Sequence, residues 1–437
     1  MHKTSRLVTL FGALTLVAAA CSGSATPTPA APSAAAPSAA ASAAASAAAS
    51  MAPSAAPSAA ASAAALTGNL TIWEAYGASG AAEKDAFDQI LANVQAANPG
   101  LTVTDLDVPF NNLFTKFETS AASSGVPDLF IAPADSLPKE ARAGLLVDLT
   151  SILPQLSNFS PAAVQGATVD GKLYAIPESM KGVALFYNTS LLPTAPVTTD
   201  DWITDASKLG WVYGANGGGS YYLWGLFPSF GGTILDPTTG KCAATATSGV
   251  ADALTWLQKA KAAGLHMYQN DTAAVADLVA GKIAGFIDGP WQSANLEKAL
   301  GSKLAVAPGP SGPGGGFGPL VEPDGYYINA NAADTNLATQ FALQMDSQAN
   351  EQIFADKGGH IPAINGITYT APNNANPAIS QGFANAYKTG FARPTVKQLD
   401  NYWTPFGNAL VAVIDKGTAP ASAVATACQQ MDKANGF

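Results

Sequence analysis

This sequence contains few histidines, few cysteines and few charged side chains, and each scarcity excludes a class of protein. Its 437 residues include three histidines and three cysteines, and only 12% are charged. His266 and His360 lie far apart, without the Cys/His spacing that a zinc site requires. Acidic residues outnumber basic ones by 31 to 21, so a basic surface for nucleic acid is not expected. We therefore predict neither a metal site nor a nucleic-acid partner.

Long apolar runs are also missing beyond the N-terminus, so no later segment is expected to span a membrane. At the N-terminus itself, Lys3 and Arg6 precede an uncharged stretch that ends in three alanines before Cys21. A basic head, a short apolar stretch and small residues before a cleavage point are typical of a secretory signal. We predict that residues 1–20 are a signal peptide and that the rest is exported.

This signal resembles that of bacterial lipoproteins, in which the cysteine is lipidated and becomes the new N-terminus. The resemblance implies a lipidated Cys21 and an anchor on the outer face of the cytoplasmic membrane; an ordinary cleaved signal with an accidental cysteine is the alternative. Residues 22–65 carry no charge and consist almost entirely of Ala, Ser, Pro and Thr. Such a composition cannot bury a core. Residues 21–65 are therefore predicted to be a lipidated cysteine followed by a tether.

The remaining body, residues 66–437, is predicted to form two lobes, because its 372 residues exceed one ordinary core. Removal of the signal leaves 19 basic residues (21 − 2) against 31 acidic ones, a charge of −12. Cys242 and Cys428 then remain as an even pair in an oxidising compartment. A disulfide and two buried thiols both stay open at this point.

Strand-like and helix-like patterns alternate along the body. Residues 70–73, 101–108 and 129–132 read as strands, and residues 81–97 place apolar side chains at helical spacing. Strands that alternate with helices indicate parallel sheets with covered faces. The predicted fold class is therefore α/β.

Eight short motifs also occur in a characteristic order. They are Leu70-Thr71-Ile72-Trp73, Val126-Pro127-Asp128-Leu129-Phe130, Ala143-Gly144-Leu145-Leu146, Gly171-Lys172-Leu173-Tyr174-Ala175-Ile176-Pro177, Leu185-Phe186-Tyr187-Asn188, Asp288-Gly289-Pro290-Trp291, Gly325-Tyr326-Tyr327-Ile328 and Gly359-His360-Ile361-Pro362-Ala363. In this order they resemble the extracellular solute-binding proteins of ABC importers, of the maltose/maltodextrin-binding type. The resemblance covers the whole body.

The resemblance implies a two-lobed periplasmic-binding-protein-like fold with three chain crossings and a ligand cleft between the lobes. The N-terminal lobe is expected to comprise residues 66–180 and 318–365, and the C-terminal lobe residues 181–317 and 366–437. The crossings are expected near residues 178–182, 317–319 and 362–368.

A sugar presents hydroxyls at its ring edge and C–H groups on its faces, so its site combines aromatic platforms with polar side chains. The resemblance places sugar-stacking aromatics at Tyr221, at Trp291 and near Trp403. For any one of these aromatics, packing within a lobe is the alternative. The aromatic candidates are Trp291, Tyr221, Tyr222, Trp224, Tyr402 and Trp403.

The polar candidates depart from the maltose-binding pattern. Asp135 aligns with an aspartate that binds sugar hydroxyls, whereas Lys181 stands where glutamate is usual. Glu74 and Tyr76 substitute for an Asp-Lys pair near the first strand. These departures affect the identity of the sugar rather than its class.

Three further polar residues have two open interpretations. Glu322 and Asp324 either face the cleft or belong to a solvated loop, and the loop is the favoured interpretation. Arg393 either reaches a sugar hydroxyl or lies on the surface.

The resemblance implies a monomeric binding protein without a cofactor. It would capture an oligosaccharide, such as maltose, maltodextrin or a similar α-glucan, and deliver it to a membrane permease by lobe closure. One alternative is the same fold with another solute: another sugar, an anionic sugar, a polyamine or a metal chelate. A less favoured alternative is a lipid-anchored glycosidase with Asp135 and Glu74 as its carboxylate pair. Because the sequence shows no Gly-x-Ser-x-Gly motif and no His/Asp arrangement around a nucleophile, we predict no catalytic residues.

Overall fold

The computed structural model describes residues 65–77, 81–121, 127–214, 218–367 and 377–437. The predicted signal peptide, Cys21 and residues 22–64 of the predicted tether lie outside these ranges, as do Val126 and Thr368. Within them, no helix has both the length and the apolarity to cross a membrane. The same residues contain no cluster of His, Cys, Asp or Glu side chains suited to a metal ion.

The secondary structure alternates between strands and helices over most of its length. The strands are β1 (Thr67–Glu74), β2 (Gly100–Asp107), β3 (Leu129–Pro133), β4 (Thr168–Val169), β5 (Lys172–Leu173), β6 (Ile176–Lys181), β7 (Ala184–Asn188), β8 (Leu209–Val212), β9 (His266–Tyr268), β10 (Gly285–Asp288), β11 (Leu304–Ala307), β12 (Leu320–Ile328) and β13 (Phe391–Ala392). The α-helices are α1 (Ala82–Ala97), α2 (Phe110–Ser120), α3 (Leu137–Arg142), α4 (Pro161–Gly166), α5 (Thr199–Thr204), α6 (Gly218–Trp224), α7 (Leu226–Ser229), α8 (Gly249–Ala262), α9 (Asp271–Val279), α10 (Ser293–Leu300), α11 (Thr335–Met345), α12 (Gln348–Ile353), α13 (Pro377–Ala386), α14 (Trp403–Lys416) and α15 (Pro420–Ala434).

Shorter helical turns complete the chain. They are 3₁₀ turns at Thr150–Leu156, Ala206–Lys208, Pro290–Gln292, Gly301–Lys303, Tyr387–Thr389 and Lys397–Asn401, and a π-helical turn at Phe354–Gly358. The turn at Pro290–Gln292 follows β10 directly and so fixes where the chain leaves that strand.

The first sheet has the strand order β13-β12-β3-β1-β2, and β6 also pairs with β12. β1 runs parallel to β2 and β3, as the alternating pattern predicts, whereas β12 is antiparallel to β3 and β6. Apolar side chains from α1 and α2, including Phe87, Ile90 and Phe117, pack on this sheet in one continuous core. This sheet and its core form the first lobe.

The second sheet has the order β11-β7-β10-β8-β9. β7 is antiparallel to both of its neighbours, and β8 is parallel to β9 and β10. Its separate core contains three tryptophans, Trp202, Trp211 and Trp256, whose rings meet edge to face with centroids 5.9–6.4 Å apart. Cys242 and Cys428 are joined by a disulfide in this second lobe.

Two sheets with separate cores confirm the predicted two-lobed α/β fold. The chain leaves the first sheet after β6, enters the second at β7 and returns at β12. Later, α13 places Ile379 and Phe383 in the second core. One segment differs from the expected division, because β13 pairs with β12 of the first sheet although residues 366–437 were assigned to the C-terminal lobe. The reason is local: the Arg393 N–H donates to the Val321 carbonyl oxygen, which holds this segment at the edge of the first sheet.

Candidate functional site

A cavity of about 660 Å³ lies between the two lobes, and both lobes contribute to its wall. The lining residues are Ala75, Tyr76, Glu83, Phe110, Ile131, Ala132, Pro133, Asp135, Ser136, Lys181, Tyr221, Tyr222, Asp271, Trp291, Glu322, Asp324, Arg393 and Trp403. Large aromatics and charged side chains are both present, which is typical of a pocket that fixes a polar ligand against apolar platforms.

The second lobe contributes a row of three aromatic rings, which we call the aromatic row: Trp291, Tyr221 and Trp403. The ring centroids of Tyr221 and Trp291 are 6.3 Å apart, and those of Tyr221 and Trp403 are 6.5 Å apart. All three side chains are partly buried and pack against the second core. Each of the three rings is therefore held by the second core on one side and exposed to the cavity on the other.

Each ring of the aromatic row is positioned by a different element. Trp291 lies on the turn after β10, and a Cβ at position 289 would overlap its indole, so only glycine lets the ring fold over this backbone. Tyr221 lies in α6, and Trp403 is the first residue of α14. The Ser220 hydroxyl donates to the Trp403 carbonyl oxygen at 3.0 Å, which ties α6 to the start of α14.

The first-lobe side of the cavity carries ion pairs, and the larger of them centres on Arg393. Its Nη1 donates to the carboxylates of Asp135 and Glu322, and its Nη2 donates to the Asp135 carbonyl oxygen at 3.1 Å. The guanidinium carbon lies 4.6 Å from the ring centroid of Trp403, so this group also contacts the aromatic row. Burial raises the pKa of Glu322 to about 7, although the charge of Arg393 opposes this rise.

A second ion pair joins Lys181 to Asp324. The Lys181 ammonium lies 5.6 Å from the ring centroid of Trp291, at the other end of the aromatic row. Burial raises the pKa of Asp324 to about 6, and the positive charge of Lys181 opposes that rise. Each cation of the cavity is thus paired with carboxylate and lies against an aromatic ring.

Behind these pairs, His360 connects the cavity to the strands that join the lobes. Its Nδ1 is 2.7 Å from a carboxylate oxygen of Glu178 in β6, and its Nε2 is 2.9 Å from one of Glu83, which lines the cavity. Burial lowers the pKa of His360, but the charges of the two carboxylates outweigh it and raise the pKa to about 10. The imidazole is therefore protonated at neutral pH and donates to both carboxylates.

Three polar atoms at the cavity have no hydrogen-bond partner within the part of the chain that the structure describes. They are the hydroxyls of Tyr76 and Tyr221 and one carboxylate oxygen, Oδ1, of Asp324. Buried polar atoms are normally satisfied, so a cavity lined by such atoms is suited to a ligand that carries hydrogen-bonding groups.

Most of the sequence-predicted ligand residues meet at this cavity. Those that line it are Trp291, Tyr221, Tyr222, Trp403, Asp135, Tyr76 and Lys181. They come from segments that are distant in sequence, so only the fold brings them together.

Three predicted ligand residues do not line the cavity. Tyr402 is fully buried, its hydroxyl donates to the Ser220 carbonyl oxygen at 3.0 Å, and Trp224 packs edge-on against it at 4.9 Å. Glu74 is fully buried, accepts a hydrogen bond from the Tyr76 N–H and lies 3.8 Å from the Lys84 ammonium. These residues support the wall from behind, and the alternative of packing within a lobe holds for both aromatics.

The favoured loop interpretation of Glu322 and Asp324 is wrong. Both lie in β12, only 2% and 1% exposed, and both line the cavity. Pro323 and Gly325 are unusual in a strand, so the sequence does not indicate one here. The pairing with β6 shifts register at Asp324/Gly325, and such a bulge accommodates both residues. Arg393 is buried in the wall, so the surface interpretation is also wrong.

Sequence reasoning missed three charged or aromatic lining residues, Glu83, Phe110 and Asp271. Each occurs in the first turn of a helix, where acidic and aromatic residues are common without any function. No local signal separates them from ordinary surface residues.

Comparison with known proteins gives a family for this arrangement. A family model described as bacterial extracellular solute-binding protein matches residues 89–381. A maltodextrin-binding protein of Bacillus subtilis, MdxE, is 24% identical over 300 residues, covering 64% of this chain and 71% of the relative. The diacetylchitobiose binding protein DasA of Streptomyces coelicolor is 25% identical over 386 residues, covering 81% and 87%.

Solved structures share the fold. The GacH receptor of Streptomyces glaucescens matches with a TM-score of 0.76 and 22% identity, covering 84% of this chain and 98% of the other. The maltose/maltodextrin-binding domain MalE of Bdellovibrio bacteriovorus, bound to maltotriose, matches with a TM-score of 0.74 and 20% identity, covering 84% and 100%.

Proposed function

Because this chain belongs to the bacterial extracellular solute-binding protein family, we propose that it captures an oligosaccharide of the maltodextrin type and passes it to an ABC-importer permease. The observation that carries the proposal is the aromatic row of the second lobe, which shares the cavity with the ion pairs of the first lobe and with three unpartnered polar atoms. Relatives named for binding maltodextrin and diacetylchitobiose support the oligosaccharide class.

The two sides of the cavity match the two surfaces of a sugar. The C–H faces of successive rings stack on Trp291, Tyr221 and Trp403, which lie at a regular spacing. The ring hydroxyls then donate to Asp324 and exchange hydrogen bonds with the hydroxyls of Tyr76 and Tyr221. Hydrogen bonds to a charged carboxylate are the stronger ones, so Asp324 and Asp135 contribute more to orientation than the tyrosine hydroxyls.

The mechanism follows from the division of the site between lobes. Ligand that contacts both sides favours the closed arrangement, because some of its contacts exist only when both lobes touch it. Lys181 beside Trp291 and Arg393 beside Trp403 are the points where the two sides meet. We propose that the closed monomer is the form that the permease recognises.

The charged residues of the cavity distinguish between the alternative ligands and the alternative of an enzyme. An anionic sugar is disfavoured because Lys181 and Arg393 are already paired with carboxylates. A polyamine is the alternative that one observation favours, since the lining carboxylates outnumber the lining cations, but the aromatic row favours a sugar. The glycosidase alternative loses its carboxylate pair, because Glu74 lies behind the wall while Asp135 lines it.

A thermal-shift screen tests the proposal. Maltose, maltotriose, maltotetraose, triacetylchitotriose, spermidine and oligogalacturonate are each added to the purified protein. A ligand that binds only the folded state raises the melting temperature with concentration, as RT ln(1 + [L]/Kd). We expect the neutral oligosaccharides to raise it. A response to spermidine alone would replace the proposal with a polyamine, and release of glucose from maltotriose would indicate an enzyme.

We further propose that the exported protein is anchored through a lipid on Cys21. The basic head, the small residues before the cysteine and the charge-free tether support this proposal; two or more acyl chains make such attachment stable. In the variant Cys21→Ser we expect soluble protein that still binds the sugar. Unchanged membrane fractionation of this variant would contradict the anchor.

A further inference from the structure

Phe110 is a large apolar side chain that lies in the cavity wall yet is 45% exposed. Several other large apolar side chains among the described residues are also exposed, but none of those lines the cavity. Phe110 is the first residue of α2 and belongs to the first lobe, whereas the aromatic row belongs to the second. An exposed ring within a ligand cavity is a candidate ligand contact.

The position of Phe110 follows from the apolar face of α2. Phe110, Leu113, Phe114 and Phe117 follow the spacing i, i+3, i+4, i+7 and so share one face of the helix. Leu113 and Phe117 are fully buried in the first core, whereas Phe110 continues the same face beyond the edge of that core. Its ring meets Phe114 edge-on, with centroids 5.8 Å apart and planes at 81°. The helix therefore holds Phe110 in place, and its 45% exposure shows that the described part of the core does not cover it.

We propose that Phe110 is an apolar platform for the sugar on the first lobe, facing the aromatic row. A pyranose ring has two C–H faces, and rings on the second lobe cover one of them. A ligand held only from that side would leave its other face against a wall of ion pairs. Phe110 supplies an apolar surface on the first lobe, as do the other apolar lining residues of that lobe, Ile131, Ala132 and Pro133. This inference rests on the proposed oligosaccharide function and adds a determinant of its selectivity.

Calorimetric titration with maltotriose and with triacetylchitotriose tests the inference on the full exported chain. We expect Phe110→Ala to weaken binding of the sugar that the wild type binds by about tenfold, the effect of one stacking contact. Phe110→Tyr and Phe110→Trp keep a flat ring and should bind within about twofold of wild type. Phe110→Leu keeps the apolar character without the ring face, so it should show most of the tenfold loss of affinity expected for Phe110→Ala.

Phe437→Ala is the matched control, because Phe437 is 48% exposed and does not line the cavity. We expect its affinity to equal that of wild type, and the melting temperatures of all five variants to stay close to the wild-type value. Wild-type affinity in Phe110→Ala, or an equal loss in Phe437→Ala, would overturn the inference while the proposed function stands. Full affinity in Phe110→Leu would show that the flat ring is not used. A wild-type protein that binds neither sugar contradicts the proposed function itself.

Discussion

The two lobes enclose the same cavity with different chemistry. The second lobe presents the aromatic row from a core rich in tryptophan, and a disulfide cross-links it. The first lobe presents paired charges and a buried histidine, and its segments contain no cysteine. A sugar has apolar faces and polar edges, so the aromatic row is suited to its faces and the polar side chains of the first lobe to its edges.

The difference extends to how the side chains are held. The rings of the second lobe are held by packing, as the close approach of Trp291 to Gly289 illustrates. The charges of the first lobe are held by one another, because a buried ion is tolerated only with a partner. Changes to the aromatic row are therefore expected to separate affinity from stability, while changes to the ion pairs of the first lobe affect both.

The disulfide gives the largest expected effect on stability. It joins two segments of the second lobe that are 186 residues apart in sequence, and the chain-entropy model gives about 5 kcal/mol for such a loop, usually more than is measured. We expect the double variant Cys242→Ser/Cys428→Ser to unfold earlier in denaturant, with the second-lobe tryptophans reporting the transition. Cys242→Ser alone, measured under reducing conditions, is the control. Two free thiols in denatured but unreduced wild type would contradict the cross-link.

Arg393 tests the paired charges of the first lobe. Its removal leaves Asp135 and Glu322 without their common cation, and breaking a buried pair typically costs about 3–5 kcal/mol. We expect Arg393→Ala to lower both the free energy of unfolding and the sugar affinity. Arg393→Lys is the matched variant. It should restore the free energy of unfolding and the sugar affinity only partly, because an ammonium lacks the planar fork that reaches both carboxylates. Full rescue by lysine would mean that charge alone is required.

Trp291 tests the aromatic row. We expect Trp291→Ala to weaken sugar binding by about 2–4 kcal/mol, the scale of an aromatic hot spot, with little loss of stability because the ring is only partly buried. Gly289→Ala should also weaken binding, since the new Cβ displaces the indole without removing it. Trp224→Ala is the control: it should lower the melting temperature and leave the affinity of the folded protein intact. Titration calorimetry and melting curves on the same preparations separate these outcomes.

The pH dependence of stability has the smallest expected effect for each group involved. Burial raises the pKa of Glu322 from 4.5 to about 7 and that of Asp324 from 3.8 to about 6, so the folded state binds these protons more tightly than the unfolded chain. His360, raised from 6.5 to about 10, contributes stability that is complete below pH 6.5 and lost as the pH rises through 10. All three groups thus make the protein more stable at pH 6 than at pH 8, Glu322 and His360 by about 1–2 kcal/mol each and Asp324 by less than about 1 kcal/mol. Asp324→Asn should reduce the dependence of the melting temperature on pH. A wild-type melting temperature that rises between pH 6 and pH 8 would contradict the raised pKa values.

The aromatic half of the site was accessible from the sequence, whereas most of the charged half was not. Trp291, Tyr221 and Trp403 stand in or near family-like motifs, and all three line the cavity. Their neighbours Trp224 and Tyr402 stand in the same motifs and pack behind the wall. A motif locates a helix, but it does not determine which of its faces meets the cavity.

The sequence by itself determined the alternation of strands and helices, the two-lobed family fold and the aromatic candidates, because these depend on local periodicity and on motif order. Only the tertiary structure decided that Arg393 lies between Asp135 and Glu322, residues 258 and 71 positions away. It also decided that Pro323 and Gly325 lie in a buried strand at a bulge. The physical reason is that a buried charge is stabilised by whichever partner the fold brings within hydrogen-bond distance, and that distance is not encoded in local spacing.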